Sequence, residues 1–271
     1  MEFLSFFFIF CLGAIVGSFL NVVILRHNTG RTVAGRSGCA QCGEQLQWFE
    51  LLPLVSFLIQ KGKCRTCGSK ISWQYPLVEL LTAVLFVLSY ATFGVENIVG
   101  LVTSFVIWSL LVVILVYDIH HKIIPNAFVY AFIALSFGAL FVTSTWIPTL
   151  ELPTLMDMLA GPLIAFPFAF LWFVSGGRWM GFGDAKLSLG IGWILGITGG
   201  ISAVFFAFWI GAVVSIALVC AEHLRHSHAR ALSDAHERFT MKSEVPFAPF
   251  LILGFALVFF WQINLIAILL G

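Results

Sequence analysis

Charged residues are scarce in this sequence. Of 271 residues, 10% are charged and 60% are hydrophobic, and the mean hydropathy is +1.02. An average soluble domain is about 25% charged, so the chain has too few polar residues to cover one water-soluble globule. The net charge of +1 says nothing about partners, and we expect no nucleic-acid partner. The composition therefore predicts a protein surrounded mainly by lipid.

Long apolar runs divide the chain. A helix needs about 20 apolar residues to cross a hydrocarbon core of about 30 Å. Such runs lie near residues 4–25, 77–93, 98–117, 126–145, 154–174, 186–198, 200–221 and 248–269. The first run lacks a basic region before it and a small-residue cleavage site after it. We therefore expect a retained helix rather than a removed signal peptide. The predicted fold is an all-α polytopic membrane protein with about eight transmembrane helices.

Lysine and arginine alternate with these runs. All 14 lie in the four segments that connect helices 1 and 2, 3 and 4, 5 and 6, and 7 and 8, or at the helix ends next to these segments. The loops near residues 94–97, 146–153 and 198–200 have none. The positive-inside rule therefore places the basic segments in the cytoplasm and both termini outside. We expect a transmembrane helix at 1–25, a cytoplasmic loop at 26–76, and a membrane core at 77–271 with a second cytoplasmic loop at 222–247.

The first loop contains four of the six cysteines. Cys39 and Cys42 form one C-x-x-C-G pattern, and Cys64 and Cys67 form a second, with 21 residues between the two pairs. Two such turns can present four thiolates tetrahedrally to Zn²⁺ and leave no open coordination position, which favours a structural metal. Two disulfides or ordinary thiols are the alternatives, and a reducing cytoplasm disfavours disulfides. The sequence thus predicts a small cytoplasmic zinc-binding insertion between helices 1 and 2.

Two of the four aspartates lie where carboxylates are costly. Asp118 follows the apolar run of the third helix, and Asp184 lies in the sequence GFGDAK at the start of the sixth, on the same membrane face. Two carboxyl groups that approach each other there cannot both ionise easily, so one acts as base and the other as acid. Gly181 and Gly183 would let the backbone bend and a peptide approach. Ion pairs with Lys122 and Lys186 are the alternative that spacing alone leaves open.

Six motifs in order resemble the bacterial type IV prepilin peptidases, also called prepilin leader peptidase/N-methyltransferases, which are aspartic peptidases with a GxGD motif. The C-x-x-C pairs bracket the second motif, as in that family. The motifs are residues 17–26 (GSFLNVVILR), 50–56 (ELLPLVS), 75–79 (YPLVE), 118–125 (DIHHKIIP), 181–186 (GFGDAK) and 245–250 (VPFAPF). The resemblance covers nearly the whole chain.

The resemblance implies an enzyme of the bacterial inner membrane. Its substrates would be type IV prepilins or type II secretion pseudopilins, cut on the cytoplasmic side with Asp118 and Asp184 as the catalytic pair. The cysteine loop implies the form that also methylates the new N-terminus with S-adenosylmethionine, and Glu79 and Lys186 are family positions that would support the site. A peptidase without methyltransferase activity and a non-enzymatic pilus or secretion scaffold remain the alternatives. A transporter is disfavoured because the key acids lie at the interface rather than at mid-membrane.

Overall fold

The computed structural model describes residues 2–30, 32–142, 152–228, 246–265 and 268, and within them all regular structure is helical. Two isolated bridges pair Gly38 with Gln45 and Lys63 with Lys70. The helices are α1 (Glu2–Arg26), a 3₁₀ turn (Trp48–Leu51), α2 (Val55–Ile59), α3 (Gln74–Phe93), α4 (Ile98–His121), α5 (Asn126–Ala139), α6 (Leu155–Ser175), α7 (Phe182–His228) and α8 (Ala248–Trp261).

In the part of the chain that the structure describes, five helices are long and apolar enough to cross a membrane, namely α1, α3, α4, α6 and α7, the last through Ala221. Two shorter apolar helices, α5 and α8, accompany them. The prediction of an all-helical, multi-pass membrane protein is therefore confirmed, and the count of eight spans stays a prediction.

The chain divides into two compact units, and the division falls within α4, between Val116 and Tyr117. In the first unit, α1 packs along α3 through Gly13 and Gly17. A Cβ atom at Gly13 would lie 2.6 Å from Ala83 Cα, and one at Gly17 would lie 2.7 Å from Glu79 Cα. Small residues four apart let membrane helices approach this closely. The pair fixes α3, and with it the end of the cysteine loop, against α1.

In the second unit, α7 packs against α5, α6 and α8 at glycines. A Cβ atom at Gly192 would lie 2.8 Å from Gly161 Cα on α6, and one at Gly190 would overlap the Phe132 ring on α5. At Gly254 of α8, a Cβ atom would overlap the Ala203 carbonyl oxygen of α7. These contacts fix the start of α7 relative to its neighbours in the unit.

The helix α7 reverses direction at Gly196. There φ is 71° and ψ is −175°, a conformation that only glycine adopts readily. A Cβ atom at Gly200 would lie 3.6 Å from Gly192 Cα, whereas residues eight apart in a straight helix are about 12 Å apart. The two halves of α7 therefore lie side by side as a helical hairpin. The sequence predicts this turn at residues 198–200, which are helical instead.

Other boundaries also differ from the predicted runs. The helix α5 ends at Ala139, short of residue 145, and α8 ends at Trp261, because Gln262 adopts a left-handed conformation with φ of 51°. The helix α7 continues to His228, into the predicted loop 222–247. Residues 143–145 and 229–245, with the Val245 of the sixth motif, lie outside the described residues.

Candidate active site and metal site

Asp118 and Asp184 line the same cavity, which lies entirely within the second unit and has a volume of about 510 Å³. The ends of α4 and α6 and the starts of α5, α7 and α8, with the residues next to them, surround it. The lining residues are Asp118, Lys122, Ile123, Ile124, Asn126, Gly177, Arg178, Trp179, Met180, Gly181, Phe182, Gly183, Asp184, Lys186, Pro246 and Phe247. The two aspartates that the sequence singles out are thus presented to one space.

Asp118 lies in the last turn of α4. The following turn closes on it, since the Lys122 backbone N–H donates to the Asp118 carbonyl oxygen at 2.7 Å and Lys122 adopts a left-handed φ of 54°. The Asp118 side chain is 5% exposed, and its Oδ2 has no hydrogen-bond partner among the described residues. The backbone N–H of Ala248, at the start of α8, lies within reach of the carboxyl group. One oxygen of Asp118 is therefore buried without a hydrogen-bond partner among the described residues.

Asp184 lies in the first turn of α7 and is 8% exposed. The preceding helix α6 ends at Gly176, whose φ of 59° is the left-handed conformation typical of a helix C-terminus. Trp172 of α6 then packs on Phe182 at 4.8 Å between ring centroids. The contact between the two rings holds the end of α6 against the start of α7. Asp184, two residues after Phe182, therefore lies beside the α6–α7 connection and lines the cavity.

The two glycines that flank this aspartate differ in their surroundings. A Cβ atom at Gly183 would lie 2.9 Å from Ile124 Cβ and 3.0 Å from its Cδ1. A Cβ atom at Gly181 would find its nearest neighbour, Asp184 Oδ2, at 3.9 Å. Neither glycine has positive φ. Gly183 therefore brings α7 against the α4–α5 turn, while Gly181 leaves open space beside the carboxyl group.

Lys186 joins α7 to α5. Its Nζ donates to Asn126 Oδ1 at 2.8 Å and lies 4.7 Å from the centroid of the Tyr130 ring and 5.3 Å from that of Phe182. Within the described ranges, this amide and these two rings are the neighbours that the ammonium group contacts. The cation thus holds two cavity-lining helices together.

The two cysteine pairs form matching turns in the first unit. Cys39 N–H donates to Glu44 O and Cys64 N–H donates to Ser69 O, at 2.9 and 2.8 Å. The glycine after each pair, Gly43 or Gly68, donates back to the first cysteine of its turn. Their φ values of 72° and 71° explain why the patterns continue with glycine. Each turn presents two sulfurs on one side.

The four sulfurs form a single cluster. The four Sγ atoms all lie within 4.8 Å of one another; they belong to Cys39, Cys42, Cys64 and Cys67. The Sγ atoms of Cys39 and Cys67 are 3.9 Å apart. Zinc–sulfur bonds of about 2.3 Å in a tetrahedron imply sulfur–sulfur distances of about 3.8 Å. All four are free thiols. The four cysteines could therefore bind a tetrahedral metal ion.

Backbone amides prepare part of this cluster for a cation. The backbone N–H groups of Cys42 and Gln41 lower the pKa of Cys39 to about 6, and the Ser69 side chain lowers the pKa of Cys67. At Cys42 the Glu44 backbone N–H acts in the same direction. Burial and the neighbouring sulfurs outweigh it and raise the pKa of Cys42 to about 11. Neighbouring sulfurs in this cluster hinder one another's ionisation. A bound metal ion would remove this conflict, because its positive charge stabilises several thiolates at once.

Glu79 belongs to the first unit, with the cysteines. Its side chain is 7% exposed, and its Oε2 accepts the backbone N–H of Leu54 at 2.8 Å. Leu54 adopts a left-handed φ of 61°. Glu79 therefore fastens the segment between the two cysteine turns to α3.

Sequence reasoning missed several residues of these sites. Asn126 follows the proline of a motif, and its position at the start of α5 could have been read from that proline. Phe247 lies in the sixth motif, but Trp179 and Met180 carry no sequence signal, because only the tertiary fold brings them to the cavity.

Comparisons with known proteins identify related chains. Family models described as "Bacterial Peptidase A24 N-terminal domain" and "Type IV leader peptidase family" match residues 11–93 and 105–216. Several relatives carry the name prepilin leader peptidase/N-methyltransferase. That of Bacillus subtilis (strain 168) is 33% identical, over 97% of this chain and 96% of its own length. That of Myxococcus xanthus (strain DK1622) is 37% identical, over 79% of this chain and 63% of its own.

A third, from Xanthomonas campestris, is 29% identical, over 94% of this chain and 91% of its own. No solved structure matches. The family that the sequence motifs resemble is confirmed. The family model matches residues 105–216, and the Bacillus subtilis relative matches almost the whole of both chains. The chain therefore belongs to the type IV leader peptidase family.

Proposed function

We propose that this chain is a membrane aspartic endopeptidase that removes the leader of type IV prepilins or type II secretion pseudopilins. Asp118 and Asp184 are its catalytic pair. The observation that carries the proposal is that both carboxyl groups line one cavity within one unit, each at the end of an apolar helix.

The chemistry follows from two carboxyl groups that share a proton. The carboxylate removes a proton from a water molecule, whose oxygen attacks the scissile carbonyl carbon, while the carboxylic acid protonates the carbonyl oxygen. Proton transfer to the leaving amine then completes cleavage of the peptide bond. The shared cavity and the open space beside Gly181 support a peptide bound next to the two aspartates.

We place the cavity on the cytoplasmic side of a bacterial inner membrane. Lys122, Arg178 and Lys186 line it, and short basic segments stay in the cytoplasm. The reversal at Gly196 supports eight spans, because it divides the 40-residue apolar stretch of α7 into two helices. A straight helix of that length would measure about 60 Å, twice the hydrocarbon thickness. Both termini then lie outside.

We propose methylation of the new N-terminal amine as the second activity, with S-adenosylmethionine as methyl donor. The names of the relatives and the match of residues 11–93 support it. S-adenosylmethionine would supply an electrophilic methyl group to the amine nitrogen, which would give up a proton. Glu79 is a candidate supporting residue, since it is a buried carboxylate of the matched region.

We propose Zn²⁺ as the ion that Cys39, Cys42, Cys64 and Cys67 would hold. Four sulfurs in a tetrahedral arrangement suit zinc and leave no open position for substrate. Such an ion is structural: it would tie the two ends of the segment between the cysteine turns together.

Substitution of the aspartates tests the peptidase. We expect Asp118→Asn and Asp184→Asn to reduce cleavage of a synthetic prepilin in detergent by at least about 10³-fold, since neither acid–base role survives. Asp157→Asn is the matched control, because Asp157 caps α6 away from the cavity. Normal cleavage by either cavity variant would overturn the proposal and favour a non-enzymatic scaffold.

The mass of the mature pilin N-terminus tests methylation. Incubation of the wild-type protein with prepilin and S-adenosylmethionine should add one methyl group to the cleaved product and none to the precursor. A cleaved product with an unmodified amine would leave the peptidase-only alternative.

A further inference from the structure

The segment between the two cysteine turns, residues 43–63, exposes large apolar side chains although it lies outside the candidate spans. Trp48, Leu58 and Ile59 are 75%, 74% and 76% exposed. Phe49, Leu51, Leu52 and Val55 are exposed as well. Soluble loops rarely expose a contiguous apolar surface of this kind, and such a surface marks a contact with a partner or a membrane.

Contacts with α3 set the depth of this segment. The Phe57 ring packs on the Trp73 ring at 5.0 Å between centroids, and Trp73 directly precedes α3. The Leu54 N–H reaches Glu79 Oε2 at 2.8 Å. Glu79 lies five residues beyond Gln74, about 7.5 Å along the helix axis. The segment therefore lies beside the first turns of a membrane-spanning helix rather than beyond its end.

Basic residues follow the apolar surface at once. Lys61, Lys63, Arg65 and Lys70 are all exposed, and the Arg65 guanidinium lies 5.2 Å from the centroid of the Phe49 ring. Segments that lie in a membrane interface typically combine an apolar surface of Trp and Leu with neighbouring Lys and Arg. A site for an apolar peptide alone would not require this row of cations.

We propose that residues 48–59 insert into the headgroup–acyl boundary of the leaflet where α3 begins. Leu58, Ile59 and Trp48 would lie among the acyl chains, with Lys61 and Lys63 at anionic lipid headgroups. The inference goes beyond the proposed peptidase function and does not depend on it.

Photo-crosslinking to lipid tests the insertion. The full-length protein would be placed in nanodiscs of phosphatidylethanolamine and phosphatidylglycerol, with a benzophenone amino acid at Leu58 or Ile59. Phe8, a 62% exposed residue of α1, is the lipid-facing control, and the exposed Glu44 of the first cysteine turn is the control outside the apolar surface.

We expect lipid adducts at Leu58 and Ile59 at yields within about threefold of those at Phe8. The yield at Glu44 should be at least about fivefold lower. Adducts to peptides from residues 117–271, or yields at Leu58 no higher than those at Glu44, would overturn the proposal.

Hydrogen exchange in the same nanodiscs gives an independent test that needs no photoreactive residue. In the wild type, amides of residues 55–60 should be protected by the lipid boundary. The double variant Leu58→Asp, Ile59→Asp should accelerate their exchange at least about tenfold, because carboxylates leave the apolar region, with α3 unchanged. Equal exchange in the two proteins would contradict insertion.

Discussion

Gly183→Ala tests whether the contact with the α4–α5 turn positions Asp184. The new methyl carbon would lie 2.9 Å from Ile124 Cβ, 3.0 Å from Cδ1 and 3.2 Å from Cγ1, whereas carbon atoms in contact prefer about 3.5–4.0 Å. The Cβ atom is rigidly attached to the backbone, so the start of α7 must move by about 0.5–1 Å to restore that separation. Overpacking of this kind costs about 1–3 kcal/mol.

The movement changes the geometry of the candidate catalytic pair. A misplacement of about 1 Å costs about 10²-fold in rate, so we expect Gly183→Ala to cleave prepilin about 10- to 100-fold more slowly. The matched variant Gly181→Ala adds a methyl group whose nearest neighbour is 3.9 Å away. If Gly181→Ala also lowers the cleavage rate, the cause would be that the methyl group obstructs the approach of the peptide, and the change would appear as a higher KM.

The assay is the initial rate of cleavage of a synthetic prepilin in detergent, together with thermal unfolding of each variant. Ile124→Ala removes two of the three close atoms, so the double variant Gly183→Ala, Ile124→Ala should recover part of the lost rate. A Gly183→Ala protein with wild-type rate and stability would refute the reasoning. Equal losses in both glycine variants, without recovery in the double variant, would show that Ile124 is not the cause.

Three further predictions concern other parts of the chain. Gly196→Ala should lower the free energy of unfolding by about 1–3 kcal/mol, because its backbone conformation suits only glycine. Gly138→Ala, with no atom within 4 Å of its new methyl group, should leave it equal or higher in the same thermal scans. Lys186→Met and Asn126→Ala should each slow cleavage several-fold. If their side chains act through a shared hydrogen bond, the double variant should lose less activation free energy than the sum of the two single losses, and a full sum would contradict that bond. Cys39→Ser should reduce zinc in the purified protein, measured by elemental analysis, and a metal-free wild type would refute the zinc site.

Much of the architecture was predictable because membrane insertion obeys simple rules. The scarcity of charge indicated the helical membrane fold. The positions of lysine and arginine predicted Asp118 and Asp184 on one membrane face before any family was considered, and the two side chains line one cavity. The C-x-x-C-G spacing similarly predicted the cysteine cluster, because the sulfurs and the glycine turn are local features.

The remaining features depend on contacts between residues distant in sequence. Gly190, Gly192, Gly196, Gly199 and Gly200 are equivalent in a hydropathy profile, and only the packing of α7 on its neighbours selects Gly196 for the turn. The role of Gly183 likewise depends on Ile124, which lies in the turn between α4 and α5. The partner of Lys186 is an amide rather than a carboxylate, a choice that charge patterning alone cannot make.

The one-residue turn at Gly196 also determines how this molecule can be studied. A protease needs several extended residues to bind a substrate chain, and residues on both sides of Gly196 are helical. Limited proteolysis should therefore spare the turn even when its side of the membrane is accessible. A reporter inserted there would separate two packed helices, so it would describe a disrupted hairpin rather than the native turn.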